Sequence, residues 1–136
     1  MATVERFEDL DVWKRARVLA NLIYDFSAAG EFARDFGLRD QMRRAAVSVM
    51  SNIAEGFESR TQAMFIEYLG RAKASAGELR AQLYLTLDRN YISPEQFGEA
   101  SEMAEICSKQ ILKLSKYLES RPNSRRISED GATYDV

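Results

Sequence analysis

The chain has 136 residues, 46% of them hydrophobic and 29% charged, and its 19 basic and 21 acidic side chains leave a formal net charge of −2. That is the size of one ordinary domain with a real core, and it carries no global positive charge to draw it to nucleic acid or anionic lipid. It has no histidine and a single cysteine, Cys107. These two facts exclude Ser-His-Asp and Cys-His catalysis, an internal disulfide and nearly every zinc geometry.

Residues 1–8 read as a short lead anchored by Phe7, residues 9–120 as one domain, and residues 121–136, short of apolar side chains, as a tail expected to be disordered. Helix one is predicted to begin near Asp9 or Leu10, with Asp9 as N-cap and Asp11 in the first turn. Val12, Ala16, Leu19, Ile23 and Phe26 repeat at intervals of four and three, a heptad-type seam. Trp13, Ala20 and Leu22 widen that face for several neighbours. Ala28-Ala29-Gly30 ends the helix, and Glu31 to Gly37 is the connection.

Helix two is predicted from about Leu38 to Ala54 with Gly56 as its C-terminal glycine, its core face set by Met42, Ala45, Val49 and Ile53. Ser59 with Gln62 fits a capping box, and Thr61 is a competing cap for helix three. The helix-three seam is Phe65, Leu69, Ala72, Ala76, Leu79, Leu83 and Leu87, broken by Asp88-Arg89-Asn90. Ser93-Pro94-Glu95-Gln96 is a strong helix start. Helix four follows with Phe97, Ala100, Ala104, Cys107, Ile111, Leu114 and Leu118, and stops by Pro122. Four amphipathic helices, short links and no credible strand predict an all-α, antiparallel up-down-up-down four-helix bundle. No basic start leads into a long apolar run and nothing approaches a membrane span, so cytoplasmic residence is expected.

Three stretches stand together: FEDLDVW from Phe7 to Trp13, QMRRAAVSVMSNIAEGF from Gln41, and LGRAKASAGEL from Leu69 to Leu79. Together they resemble the four-helix-bundle proteins encoded in intervening sequences of bacterial large-subunit ribosomal RNA genes. A more distant relative is the accessory variability determinant of diversity-generating retroelements. The resemblance covers roughly residues 7–118. It implies a cytosolic homo-oligomer, commonly a ring of five bundles, and association with RNA or DNA. Met50 stands where relatives usually have proline, and Ala74 where they usually have glycine. The first change predicts a straighter helix two, the second an altered close helix contact.

Two sets of polar residues are candidates for function. Ser48, Asn52 and Glu55 line one side of helix two, and Ser75, Glu78 and Gln82 repeat the spacing on helix three. A paired-carboxylate acid/base site at Glu55 and Glu78 lacks histidine, a Glu-x-x-His pair and a glycine loop. The favoured expectation is therefore a hydrogen-bonded polar layer that fixes helix register or subunit contacts, with no catalytic residue, no cofactor and no metal.

The basic candidates are Arg39 with Arg43, Lys73 with Arg80, and Lys109 with Lys113 and Lys116; Arg34, Arg60 and Arg71 could add to the first two. On helix four, glutamates fill the first half and lysines the second, which complements the helix dipole without any partner. The nucleic-acid candidates are therefore Arg39, Arg43, Lys73 and Arg80. Tyr24, Tyr68, Tyr84 and Tyr91 are expected to pack rather than stack on bases, and Cys107 to pack as a small hydrophobe. The functional expectation is a non-enzymatic homo-oligomer that docks RNA or DNA on a local basic patch. The alternative is an oligomeric adaptor with no nucleic-acid role.

Overall fold

The computed structural model describes residues 3–121 and residue 127. Its four α-helices are α1 (Asp11–Phe26), α2 (Phe36–Glu58), α3 (Gln62–Asp88) and α4 (Pro94–Glu119). There is no strand among the described residues. The predicted seams supply the core: Val12, Ala16, Leu19 and Ile23 meet Met42, Val49 and Ile53, the α3 leucines, and Ala104, Cys107, Ile111, Leu114 and Leu118, all fully or almost fully buried. Only Phe26, Leu87 and Phe97 sit at the half-buried edge of their stripes.

Cross-helix contacts fix the directions. Between α2 and α3, Gln41 meets Gln82, Ser48 meets Ser75, and Gly56 lies against Phe65 and Tyr68, so one number falls as the other rises. Between α3 and α4 the same holds for Gln62 with Leu118 and Tyr84 with Phe97. Asp11 of α1 bonds Gln110 near the end of α4, while Ser27 bonds Arg43 in the first half of α2. Each helix is thus antiparallel to the next, and α1 closes the ring between α2 and α4. Consecutive antiparallel neighbours joined by short links make an up-down-up-down bundle.

Several helix ends differ from expectation. Asp9 does not cap α1. It closes a 3-10 turn over Phe7–Asp9, and the N-cap is Leu10, which makes no side-chain cap bond. Leu10 is fully buried, so core anchoring decides where the helix enters. α2 starts two residues early because Asp35 caps it, its Oδ1 accepting from Leu38 N–H at 3.2 Å. Its Oδ2 accepts from the Tyr91 hydroxyl at 2.9 Å, which joins the two loops at that end of the bundle.

Gly56 is not the C-terminal glycine of α2. The helix runs on to Glu58, and Gly56 is buried within it. A Cβ there would stand 2.8 Å from Phe65 Cδ1 and 2.9 Å from Tyr68 Cβ, so the residue is needed for the close approach of α2 and α3. Of the competing caps for α3 Thr61 is used, accepting from Met64 N–H at 3.1 Å; Ser59 instead donates to Gly56 O at 2.5 Å. The Ser93/Gln96 capping box forms as expected. α3 ends in a Schellman arrangement with Asn90 at φ 60°, Tyr91 N–H bonding Thr86 O at 2.9 Å and Asn90 N–H bonding Leu87 O at 3.0 Å.

The tail expected from residue 121 lies outside the described residues except for Arg121 and Ile127. Ile127 is fully buried, and its carbonyl accepts from Val4 N–H at 2.6 Å. No helix of the described residues is long and apolar enough to cross a membrane.

Candidate functional site

α3 carries three faces besides its core stripe, and the predicted polar residues of α3 fall on two of them. Ser75, Glu78 and Gln82 turn toward α2. Lys73, Arg80 and Tyr84, at seven- and four-residue spacing, turn toward α4, which Tyr84 meets at Phe97 with ring centroids 5.1 Å apart. Between them, pointing outward, runs the third face.

On the α2 side the polar layer forms in part. The Ser48 and Ser75 hydroxyls are 2.8 Å apart, and Asn52 Nδ2 donates to Ser48 O at 2.8 Å and to Ser48 Oγ at 2.9 Å. Gln82 Nε2 reaches Gln41 Oε1 only at 3.5 Å, and Gln82 Oε1 is buried without a hydrogen-bond partner among the described residues. Glu55 and Glu78 are both exposed. Glu78 faces Ala45 across a groove of about 230 Å3 that also includes Arg44. Glu55 lies ten residues further along α2, about 15 Å at the helical rise. The two carboxylates therefore make no acid/base pair, which needs a separation of under about 10 Å.

The four candidate cations do not form one patch. Arg43 reaches back to α1: Nε donates to Ser27 Oγ at 2.8 Å, and the guanidinium lies 4.6 Å over the Tyr24 ring. Arg39 donates to Ala33 O at 3.0 Å and to Asp40 Oδ1 at 2.9 Å, and covers Phe36 at 4.8 Å. Both are half-buried and pin the α1–α2 connection. Lys73 and Arg80, by contrast, are exposed, with no ion pair among the described residues. Of the others, Lys109 pairs with Glu105 at 3.4 Å and Arg71 with Glu67 at 2.9 Å. These i,i+4 pairs serve their own helices.

The outward face of α3 is a feature that charge-based reasoning passes over. Gly70, Ala74, Gly77 and Ala81 are all exposed and spaced four, three, four. A Cβ on Gly70 or Gly77 would meet nothing within 4 Å. The spacing was visible in the sequence; what needed three dimensions was that this stripe points away from every helix of its own bundle.

Burial pushes the Cys107 thiol up from 9.0 to about 12, opposed by nearby Arg15. A neutral, fully buried thiol is inert packing rather than a nucleophile. Among the described residues no three acidic or cysteine side chains gather as a metal site.

None of the curated proteins matches the chain. A crystal structure of a protein of unknown function from the S23 ribosomal protein family of Bacteroides thetaiotaomicron is similar to it, with a TM-score of 0.71 and 25% identity over 77% of this chain and 98% of that one. The family model for the 23S rRNA-intervening sequence protein matches residues 8–113. With that span covering nearly the whole bundle, the chain belongs to the 23S rRNA-intervening sequence protein family.

Proposed function

We propose that this protein is a non-enzymatic bundle that self-associates, a ring of five being the expected form, and docks RNA or DNA through exposed cations of α3. The observation that supports it best is the outward face of α3. A glycine inside a helix costs about 1 kcal/mol relative to alanine. At Gly56 the crowding of Phe65 and Tyr68 accounts for that cost. At Gly70 and Gly77 nothing within the bundle does. A face of two glycines and two alanines lets a second backbone approach closely, so contact between copies accounts for a pattern that the single chain leaves unexplained.

Lys73 and Arg80 flank that face and, unlike Arg39 and Arg43, are exposed with no ion pair among the described residues. Two cations per chain make a weak phosphate site, and assembly would repeat it around the oligomer. Five chains at −2 each total −10, so attraction has to be local.

The test is binding of a fluorescent RNA and a matched DNA across a salt series, with particle mass measured in the same buffer. Affinity that falls steeply with salt and is lost in Lys73→Glu/Arg80→Glu supports the docking surface; no binding at low salt by an intact oligomer removes it. The second reading, an oligomeric adaptor for another protein, is favoured by the internal use of Arg39 and Arg43, which leaves no continuous basic patch. Unchanged oligomer mass with no nucleic-acid binding would favour it.

A further inference from the structure

On the opposite side of the bundle, a groove of about 660 Å3 runs along the outer surface of α1. Trp13, Val18 and Leu22 give it an apolar floor, and Arg6, Lys14 and Arg17 rim the end nearer the start of the helix. Val18 is 48% exposed, a large value for a valine amid other apolar side chains. Arg6 is partly neutralised by Glu8 at 3.1 Å. Lys14 and Arg17 have no carboxylate within ion-pair distance among the described residues. Two acidic residues also line the groove, Glu8 beside Arg6 and Asp25 two turns past Arg17.

The course of the chain brings one segment of matching chemistry to this place. Ile127 is buried, and its carbonyl is bonded to Val4 N–H, only two residues before Arg6. Residues 128–136, with the sequence SEDGATYDV, depart from that point and carry three carboxylates and no cation. They also hold two sizeable apolar side chains, Tyr134 and Val136. Nine extended residues span about 30 Å, whereas Trp13 to Leu22 covers about 14 Å of helix.

We propose that residues 128–136 dock in the α1 groove of their own chain. Glu129 and Asp130, two and three residues past Ile127, pair with Lys14 and Arg17, and Tyr134 covers Val18 and Leu22. Because Ile127 is bonded to Val4, two residues from Arg6 of the groove, the contact is intramolecular, and modest pairwise attraction suffices at the high effective concentration of a short tether. The acidic segment would then cover Lys14 and Arg17 and leave Lys73 and Arg80, on the far side of the bundle, uncovered.

Trp13 is the only tryptophan and lies in the groove, so its fluorescence reports the contact directly. Acrylamide quenching is measured for the full chain, for a chain ending after Ile127 and for full-length Lys14→Glu/Arg17→Glu. The expected result is a rise of about twofold in the shortened chain, as the indole loses its cover, and one at least as large in the charge reversal, which also removes the Arg17 guanidinium from its place 5.9 Å over the Trp13 ring. Adding Glu129→Lys/Asp130→Lys to the double charge reversal should lower quenching again. Equal quenching in the full and shortened chains, with both helical by circular dichroism, overturns the proposal. Should the shortened chain unfold, the full-length swap decides: failure of the swap to restore protection overturns it equally.

Discussion

Gly56 and Gly77 are both helical glycines on the α2–α3 half of the bundle, and they do opposite things. Around Gly56 the two helices close until no Cβ fits; around Gly77 there is open space. One glycine is explained by its own chain and the other is not. The same contrast separates the arginines. Arg43 spends its guanidinium on Ser27 and the Tyr24 ring, while Arg80 spends its charge on nothing among the described residues. The lesson is that a residue which costs folding energy without a partner in its own bundle marks where a partner outside it belongs.

The comparison can be broken first at its tight end. Gly56→Ala should destabilise by about 1–3 kcal/mol, because Tyr68 Cβ is fixed to the backbone and cannot rotate away; a denaturant midpoint that does not move would show that the α2–α3 contact is looser than described. Cys107, in the core between α1 and α4, supplies the next effect. Its folded pKa of about 12 lies above the ordinary 9.0, so the stability it contributes is complete below pH 9. It is lost as pH rises toward 12, at up to about 1.4 kcal/mol per pH unit. Unfolding curves at pH 8 and pH 11 should therefore diverge more for the native chain than for Cys107→Ala.

Gly70→Ala and Gly77→Ala sharpen the open end. Each should stabilise the isolated bundle by about 1 kcal/mol through helix propensity, yet weaken self-association by crowding the shared face. Stabilisation without any change in mass would show that the face has no partner. The smallest effect is expected from Lys73→Glu/Arg80→Glu: stability within about 0.5 kcal/mol of the parent, as for exposed charges generally, with loss of RNA or DNA binding read by fluorescence anisotropy.

Much of the fold was legible in the sequence because it rests on local rules. The three-and-four spacing named most of the core, and Ser93-Pro94-Glu95-Gln96 built its capping box from four adjacent residues. Gly56 was misread because a glycine after a run of apolar residues looks the same in sequence whether it ends a helix or admits a neighbouring one. Asp9 lost the cap to the burial of Leu10, and Asp35 gained one that is reinforced by Tyr91, 56 residues away. On the candidate surface, sequence spacing paired Arg39 with Arg43 and Lys73 with Arg80, each pair on one helical face. It could not show that Arg43 is turned to α1 and Arg39 to the connection before α2, while the second pair faces toward α4. Whether a cation is free depends on which carbonyls and rings the other helices bring near it.

The measurement that bears most directly on the central claim is sedimentation of the native chain and of Gly70→Ala/Gly77→Ala, each followed by thermal unfolding. The account predicts a native particle heavier than one chain and a variant whose particle is lighter although its bundle is more stable. A native chain that sediments as a single copy at every concentration would contradict it.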